Sequence, residues 1–320
     1  MAFPDGWSYR KSITLSRASG AVTNYQMKLL VGESSGAAGE AVDCGGLCKT
    51  DFSDLRFTAS DGVTLLDYWI EEVSGTTPNQ LATIWVEFNS IGTGATTFYM
   101  YYGNAAATAV SSGANTFIGF YDFASALDTG VWTVRAGSTS VTGTVLRVIG
   151  NTGRIETKTA FNAGTLYRSR VKIADNTHYA SFGYYAGWGN EYRADFYANN
   201  TTANVLNTCT ATPAGSYQWT NIGDIGAGDA FHIYEIKRNA ATNVLFDVDG
   251  VNKSTHATKV PSGPIVLHIN TEGQDVYCDW IFISQWLAAD PAWGAWGGQE
   301  SLGGVIVPVL LSQYRRRWAA

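Results

Sequence analysis

Glu191, Arg193 and Asp195 stand at alternate positions in Trp188-Gly189-Asn190-Glu191-Tyr192-Arg193-Ala194-Asp195-Phe196. Alternate residues of a strand point to one face, so these three side chains are expected side by side. Two carboxyls ~5–5.5 Å apart would suit retaining hydrolysis of a glycosidic bond, provided one stays protonated through a raised pKa. Arg193 between them works against that. A neighbouring cation favours the ionised form of both acids and lowers both pKa values. The trio therefore reads as a charge ladder, and no catalytic residue is assigned.

The same stretch is rich in rings: Tyr184, Tyr185, Trp188 and Tyr192. Aromatic side chains with a few polar groups are what a sugar-binding groove requires. Tyr184, Trp188, Glu191, Arg193 and Asp195 are therefore the candidate ligand-binding face, with glycans as candidate partners. The alternative is a plain scaffold in which half of these rings alternate into the core. A turn expected at Gly187–Gly189 unsettles the parity.

The four cysteines fall into two pairs. A zinc site needs four close ligands, and no His lies near Cys44 or Cys48. A small loop closed by a Cys44–Cys48 disulfide is the preferred reading, with free thiols in a reducing cell as the alternative. A Cys209–Cys278 disulfide would need Cα atoms within ~7 Å. His178, His232, His256 and His268 are scattered and read as ordinary strand residues. None of these residues requires a cofactor.

The elements that must position these groups are strands. Only 15% of the 320 residues are charged, the aromatic content is 13%, and 35 glycines punctuate the chain. That excludes disorder and, with no sustained helical periodicity, a helical protein. It is the composition of an all-β chain. The net charge of −6 argues against nucleic acid, which needs a basic face. No apolar run reaches the ~18 residues of a membrane-spanning helix. The first residues show no basic and apolar leader, which points to delivery outside the secretory route or to a leader already removed.

Period-2 alternation predicts strands at 7–15, 27–31, 54–59, 65–73, 82–88 and 96–102, with a turn at Asp61-Gly62. Together they suggest a domain over 1–110. Further strands are expected at 131–136, 145–149, 153–159, 166–173, 179–185, 191–198, 203–209, 216–221, 230–238, 243–249, 264–270 and 276–286. Asp249-Gly250 is a second hairpin turn signal. So many strands over 115–287 suit a sandwich or jelly roll. Residues 288–320 read as a Trp/Gly-rich linker and a tail in which Val305–Leu311 precede Arg315-Arg316-Arg317. That tail is either an extra strand or a segment that docks on other structural subunits.

Several of these segments carry resemblances. Trp7-Ser8-Tyr9-Arg10-Lys11, Asp51–Thr58, Asp61–Glu71 and Tyr101-Tyr102-Gly103-Asn104 resemble a β-rich domain family of unknown function. Its members precede lectin-like modules in archaeal, bacterial and viral surface proteins. In this unit Asp54 and Arg56 are expected to pair in the core. Gly153–Lys158, Leu166–Lys172 and Cys278–Ser284 resemble concanavalin-type jelly rolls of the laminarinase/licheninase glycosidases. Those enzymes carry Glu-x-Asp-x-Glu where this chain has Glu191, Arg193 and Asp195. The resemblance implies a nucleophile at the first position and an acid/base at the third, on a face whose chemistry is here altered. It also places Asp279 where such enzymes often hold a structural calcium, an ion that takes six to eight oxygens.

The expected fold is an N-terminal β-sandwich followed by a concanavalin-like jelly roll. The expected function is that of a non-enzymatic adhesive protein on a virion surface, as a capsid decoration or tail-associated component. A homo-oligomer is compatible with it. The alternatives are a secreted or cell-surface prokaryotic adhesin and a laminarinase-like glycosidase.

Overall fold

The computed structural model describes residues 5–18, 20–37, 39–174, 178–187, 191–199, 205–213, 216–228, 230–240, 242–289 and 291–302. The chain is all-β, and it divides into two compact units. One is Met1–Ser112 with Pro291–Ala320, and the other is Gly113–Asp290.

The first unit contains two sheets. One runs Ala292–Trp296, Tyr9–Ser16, Thr96–Tyr102, Arg56–Thr58, Leu65–Leu66, and the other Val42–Asp43, Tyr25–Gly32, Leu81–Phe88, Tyr68–Ser74. Alternation along Tyr25–Gly32 and Leu81–Phe88 buries Leu29, Val31, Ile84 and Val86. Phe88 of one sheet meets Phe98 of the other with ring centroids 4.6 Å apart. Residues 288–302 are not a linker throughout. Ala292–Trp296 and Glu300–Ser301 pair with Tyr9–Ser16, where Trp293 packs on Phe88. The 305–317 tail lies outside the described residues.

Asp54 and Arg56 are both buried but do not pair. The Asp54 carboxylate accepts the backbone N–H groups of Lys49, Gly103 and Asn104. Arg56 donates to the carbonyls of Ser53, Leu55 and Thr108 and lies over the Trp7 ring. Adjacent loops offer more hydrogen-bond partners than one acid and one base can offer each other.

In the second unit a single hydrogen-bonded path folds into two layers. It runs Ser216–Asp224, Val205–Thr212, Tyr192–Ala198, Tyr179–Ala186, Ile265–Glu272, Val145–Phe161, Val276–Gln285, Thr165–Ile173, His232–Asn239, Asn243–Val248, Val251–His256. The long strand Val145–Phe161 belongs to both layers. Its later part, from Arg154, pairs with Ile265–Glu272, and its start, Leu146 to Val148, pairs with Val276–Gln285. The expected break between 149 and 153 is thus a bend within one strand. Gly137 and Gly153 make the bend possible: a Cβ on Gly137 would stand 2.6 Å from the Gly153 Cα. The expected turn at Asp249-Gly250 is present, both residues having positive φ. It opens a strand, Val251–His256, whose polar Asn-Lys-Ser-Thr run hides the alternation.

The core lies between the layers, as in a jelly-roll sandwich. Phe182 and Phe196 of one layer set their edges against Tyr234 of the other, at 4.8 and 5.0 Å. The open side is closed by His256. Its Nε2 is hydrogen-bonded to Thr208 and Thr220, and its Nδ1 to Thr210, at 3.0–3.1 Å. Burial lowers its pKa to about 4, below the ~6.5 of an exposed imidazole. The folded state therefore holds His256 neutral while the unfolded chain takes up a proton between these values. The stability this contributes is complete above pH ~6.5 and is lost as pH falls toward ~4, on the order of 3 kcal/mol in all. Urea midpoints at pH 7 and pH 4.5 should differ by more in the parent protein than in His256→Gln. An equal pH dependence in both would remove His256 from the account.

Candidate functional site

The outer face of the first layer is built from the odd-numbered residues of Tyr179–Ala186 and Tyr192–Ala198. Ala180, Phe182, Tyr184, Ala194, Phe196 and Ala198 point inward. Ser181, Tyr185, Arg193 and Tyr197 therefore point outward, and they continue in rows across the sheet. One row is Tyr217, Ala211, Arg193, Tyr185; the next is Trp219, Cys209, Asp195, Gly183, His268, Glu156.

Arg193 and Asp195 are brought together on this face as their spacing implied, but as a tight pair. The guanidinium grips the carboxylate through both nitrogens, Nε–Oδ1 at 2.9 Å and Nη2–Oδ2 at 2.7 Å. Asp195 is 0% exposed. Burial alone would lower the Arg193 pKa, yet the Asp195 charge raises it well above the ordinary value. The remaining approach to Asp195 belongs to His268, whose Nε2 lies 3.3 Å from Oδ2. His268 reaches it across Gly183, a residue at φ +130° with no side chain in the way. Burial lowers the His268 pKa against the opposing pull of Asp195, so the imidazole is neutral and Nε2–H donates. Its Nδ1 is buried without a hydrogen-bond partner.

Glu191 stands apart from this pair, just before the strand begins. Its two oxygens accept the hydroxyls of Tyr185 at 3.0 Å and Tyr217 at 2.8 Å. Tyr185 stacks on His268 at 4.8 Å, and both Arg154 and Arg193 lie over its ring. The result is a cleft of about 250 Å³ lined by Glu191, Arg193, His268, Arg154, Asn270 and Glu272. A neighbouring hollow of about 420 Å³ continues past Arg154 toward Glu156 and Arg135, where Glu156 holds both arginines.

The other sequence-derived site residues fall elsewhere. Tyr184 is turned into the core, 0% exposed, with its hydroxyl 2.9 Å from that of Thr165. The strand keeps strict alternation, so Tyr185 rather than Tyr184 faces the cleft. Trp188 lies outside the described residues. Asp279 is held by Arg170 at 2.6 Å and by the Thr144 hydroxyl at 3.1 Å. Among the described residues no three acidic, His or Cys side chains form a group that could hold a metal ion.

The four cysteines are free. Cys44 and Cys48 are hydrogen-bonded thiols, a contact that together with burial raises the Cys44 pKa well above its ordinary value. Cys209 and Cys278 cannot join. Cys209 lies opposite Asp195 on the outer face, where burial and that charge push its pKa to about 12. Cys278 is inside the core.

Residues 51–135 match the model of a family described as a domain of unknown function, DUF2341. The match takes in 51–58, 61–71 and 101–104 and does not reach Trp7–Lys11. Among solved structures the chain is similar to a prokaryotic β-1,3-1,4-glucanase (lichenase) derived from a mouse hindgut metagenome. That likeness has 15% identity and a TM-score of 0.44, covering 52% of this chain and 98% of the other. Bacillus licheniformis β-glucanase is similar at 16% identity and a TM-score of 0.44, over 52% and 97% of the two chains. No curated protein matches the chain. At such values no residue role passes from these enzymes to this chain.

His268, Arg154, Tyr217 and Trp219 are the parts of the face that sequence reasoning missed. Each alternates with inward-facing neighbours on its own strand, but in a parity that differs from strand to strand, so period 2 marks the shared face only once the strand pairing is known.

Proposed function

We propose that this chain is a non-enzymatic carbohydrate-binding protein whose ligand lies in the cleft over Arg193 and His268. The observation that carries this reading is the two-nitrogen clamp of Arg193 on buried Asp195. It ties up Asp195 and leaves Glu191 held by two phenols, so this strand does not offer the two working carboxyls, one of them a proton donor, that glycoside hydrolysis calls for. What the cleft offers instead is recognition: Asn270, Glu272, Glu191 and two guanidinium groups in a concave, partly apolar site, the mixture that binds hydroxyl-rich ligands.

The chain should release no reducing ends from β-glucans and should bind a subset of a glycan array. That binding should fall at least tenfold with Asn270→Ala combined with Glu272→Ala. Glucan hydrolysis that disappears with Glu191→Gln would overturn the non-enzymatic reading. We place the protein on the outside of a virion, supported by the sequence resemblance of its N-terminal unit to domains of surface proteins. Immunogold labelling of purified particles tests this, and label confined to cell envelopes would favour a prokaryotic adhesin.

A further inference from the structure

The cleft supplies hydrogen bonds but few open ring faces. Tyr185 is sandwiched by His268 and two guanidinium groups. Open rings do occur on the same face, at the edge of the sheet. Trp219 is 61% exposed and Tyr217 47%. Both occupy the edge strand Ser216–Asp224, and their rows run directly into Asp195 and Arg193. Tyr217 is tied to the cleft through the carboxylate of Glu191, which it shares with Tyr185.

A second observation lies in the adjoining row. Asn207, opposite Tyr197 and Asn221, is fully buried, and neither its amide nitrogen nor its oxygen has a hydrogen-bond partner. Unpaired buried amides are uncommon, because each lost hydrogen bond costs stability. Here such a group stands beside an exposed indole, on the face that carries the cleft.

We infer that Trp219 and Tyr217 form a second sugar-stacking platform, and that the ligand is a neutral oligosaccharide long enough to reach it from the cleft. This rests on the carbohydrate reading above and names its ligand class. Trp219 is four strand spacings from Asn270 and Glu272, about 19 Å at the usual strand separation. A disaccharide fits within the cleft alone; a chain of about four units spans both places. The preference for a neutral ligand follows from the lining charges. Arg193 is matched by Asp195, and Arg154 and Arg135 share Glu156, which leaves one positive charge against two further carboxylates. Glu191 and Glu272 pair with no cation among the described residues, and they would repel uronic, sulfated or sialylated chains.

The test is an array of neutral and acidic oligosaccharides printed at lengths of two to six units, read with the parent chain, Trp219→Ala and the Asn270→Ala/Glu272→Ala variant. The exposure of Trp219 leaves the fold of its variant intact, which an unchanged melting temperature verifies. The expected result is binding of neutral chains that strengthens up to four units. Trp219→Ala should lose at least tenfold on tetrasaccharides and less than threefold on disaccharides. If Trp219→Ala binds all lengths like the parent while the Asn270/Glu272 variant does not, the platform is refuted and the cleft stands. Preference for acidic chains would refute the assigned ligand class. No binding by the parent to any glycan would overturn both readings.

Discussion

Arg238→Ala is expected to destabilise the Gly113–Asp290 unit by about 4 kcal/mol or more, a large share of the stability of a typical domain. Arg238 is among the largest fully buried side chains of the protein. Among the described residues no carboxylate forms an ion pair with it. Its Nη1 donates to the carbonyls of Phe161 and Asn162, and its Nη2 to those of Pro261 and Gly263, at 2.7–3.4 Å. The guanidinium lies 4.6 Å above the Tyr184 ring, and burial lowers its pKa. One planar group thus ties two separate loops to the core. Alanine would leave several carbonyls inside without donors, each a cost of about 1–3 kcal/mol, and would open a cavity beside Tyr184. Typical domains have only about 5–15 kcal/mol in reserve. Arg238→Lys should do almost as badly, because an ammonium cannot reach both loops in one plane. Urea unfolding of the full chain measures the loss, and a change below about 1 kcal/mol for the alanine variant would show that water or neighbouring groups take over all the carbonyls.

The second large effect concerns the clamp on the candidate site. Arg193→Ala should cost about 3–5 kcal/mol, because it strands the Asp195 charge in a place with no access to water. Adding Asp195→Ala should recover more than half of that, since the penalty belongs to the unpaired charge rather than to lost packing. A double-mutant cycle on urea midpoints reads this directly. If the double variant were as unstable as the sum of the two singles, the residues would be acting independently and the clamp would have no energetic meaning. The same variants should lose glycan binding, because His268 and Tyr185 are positioned by this pair.

Much of the architecture was open to reading from the chain alone. Alternation over 96–102, 166–173 and 276–286 located strands to within a residue or so, because large apolar residues return at every second position of the core-facing side. It was silent on Val251–His256, which is held by its turn and by His256 rather than by apolar residues. It was misled at Ala292–Trp296, where Gly and Ala between tryptophans imitate a linker. The Cys44 and Cys48 spacing correctly suggested neighbours, yet not their chemical state.

The shared face of Arg193 and Asp195 was determined by the sequence, since side-chain direction along a strand is a local property with a period of two. Only the tertiary structure decided what that face meets. Asp195 meets His268 from 73 residues away, and Trp219 enters the same row through two further strand pairings. Register between distant strands depends on how two whole layers bury their faces together. No short window of residues holds that information, so the contact of His268 with Asp195 and the cleft beside it emerge only when distant strands pair.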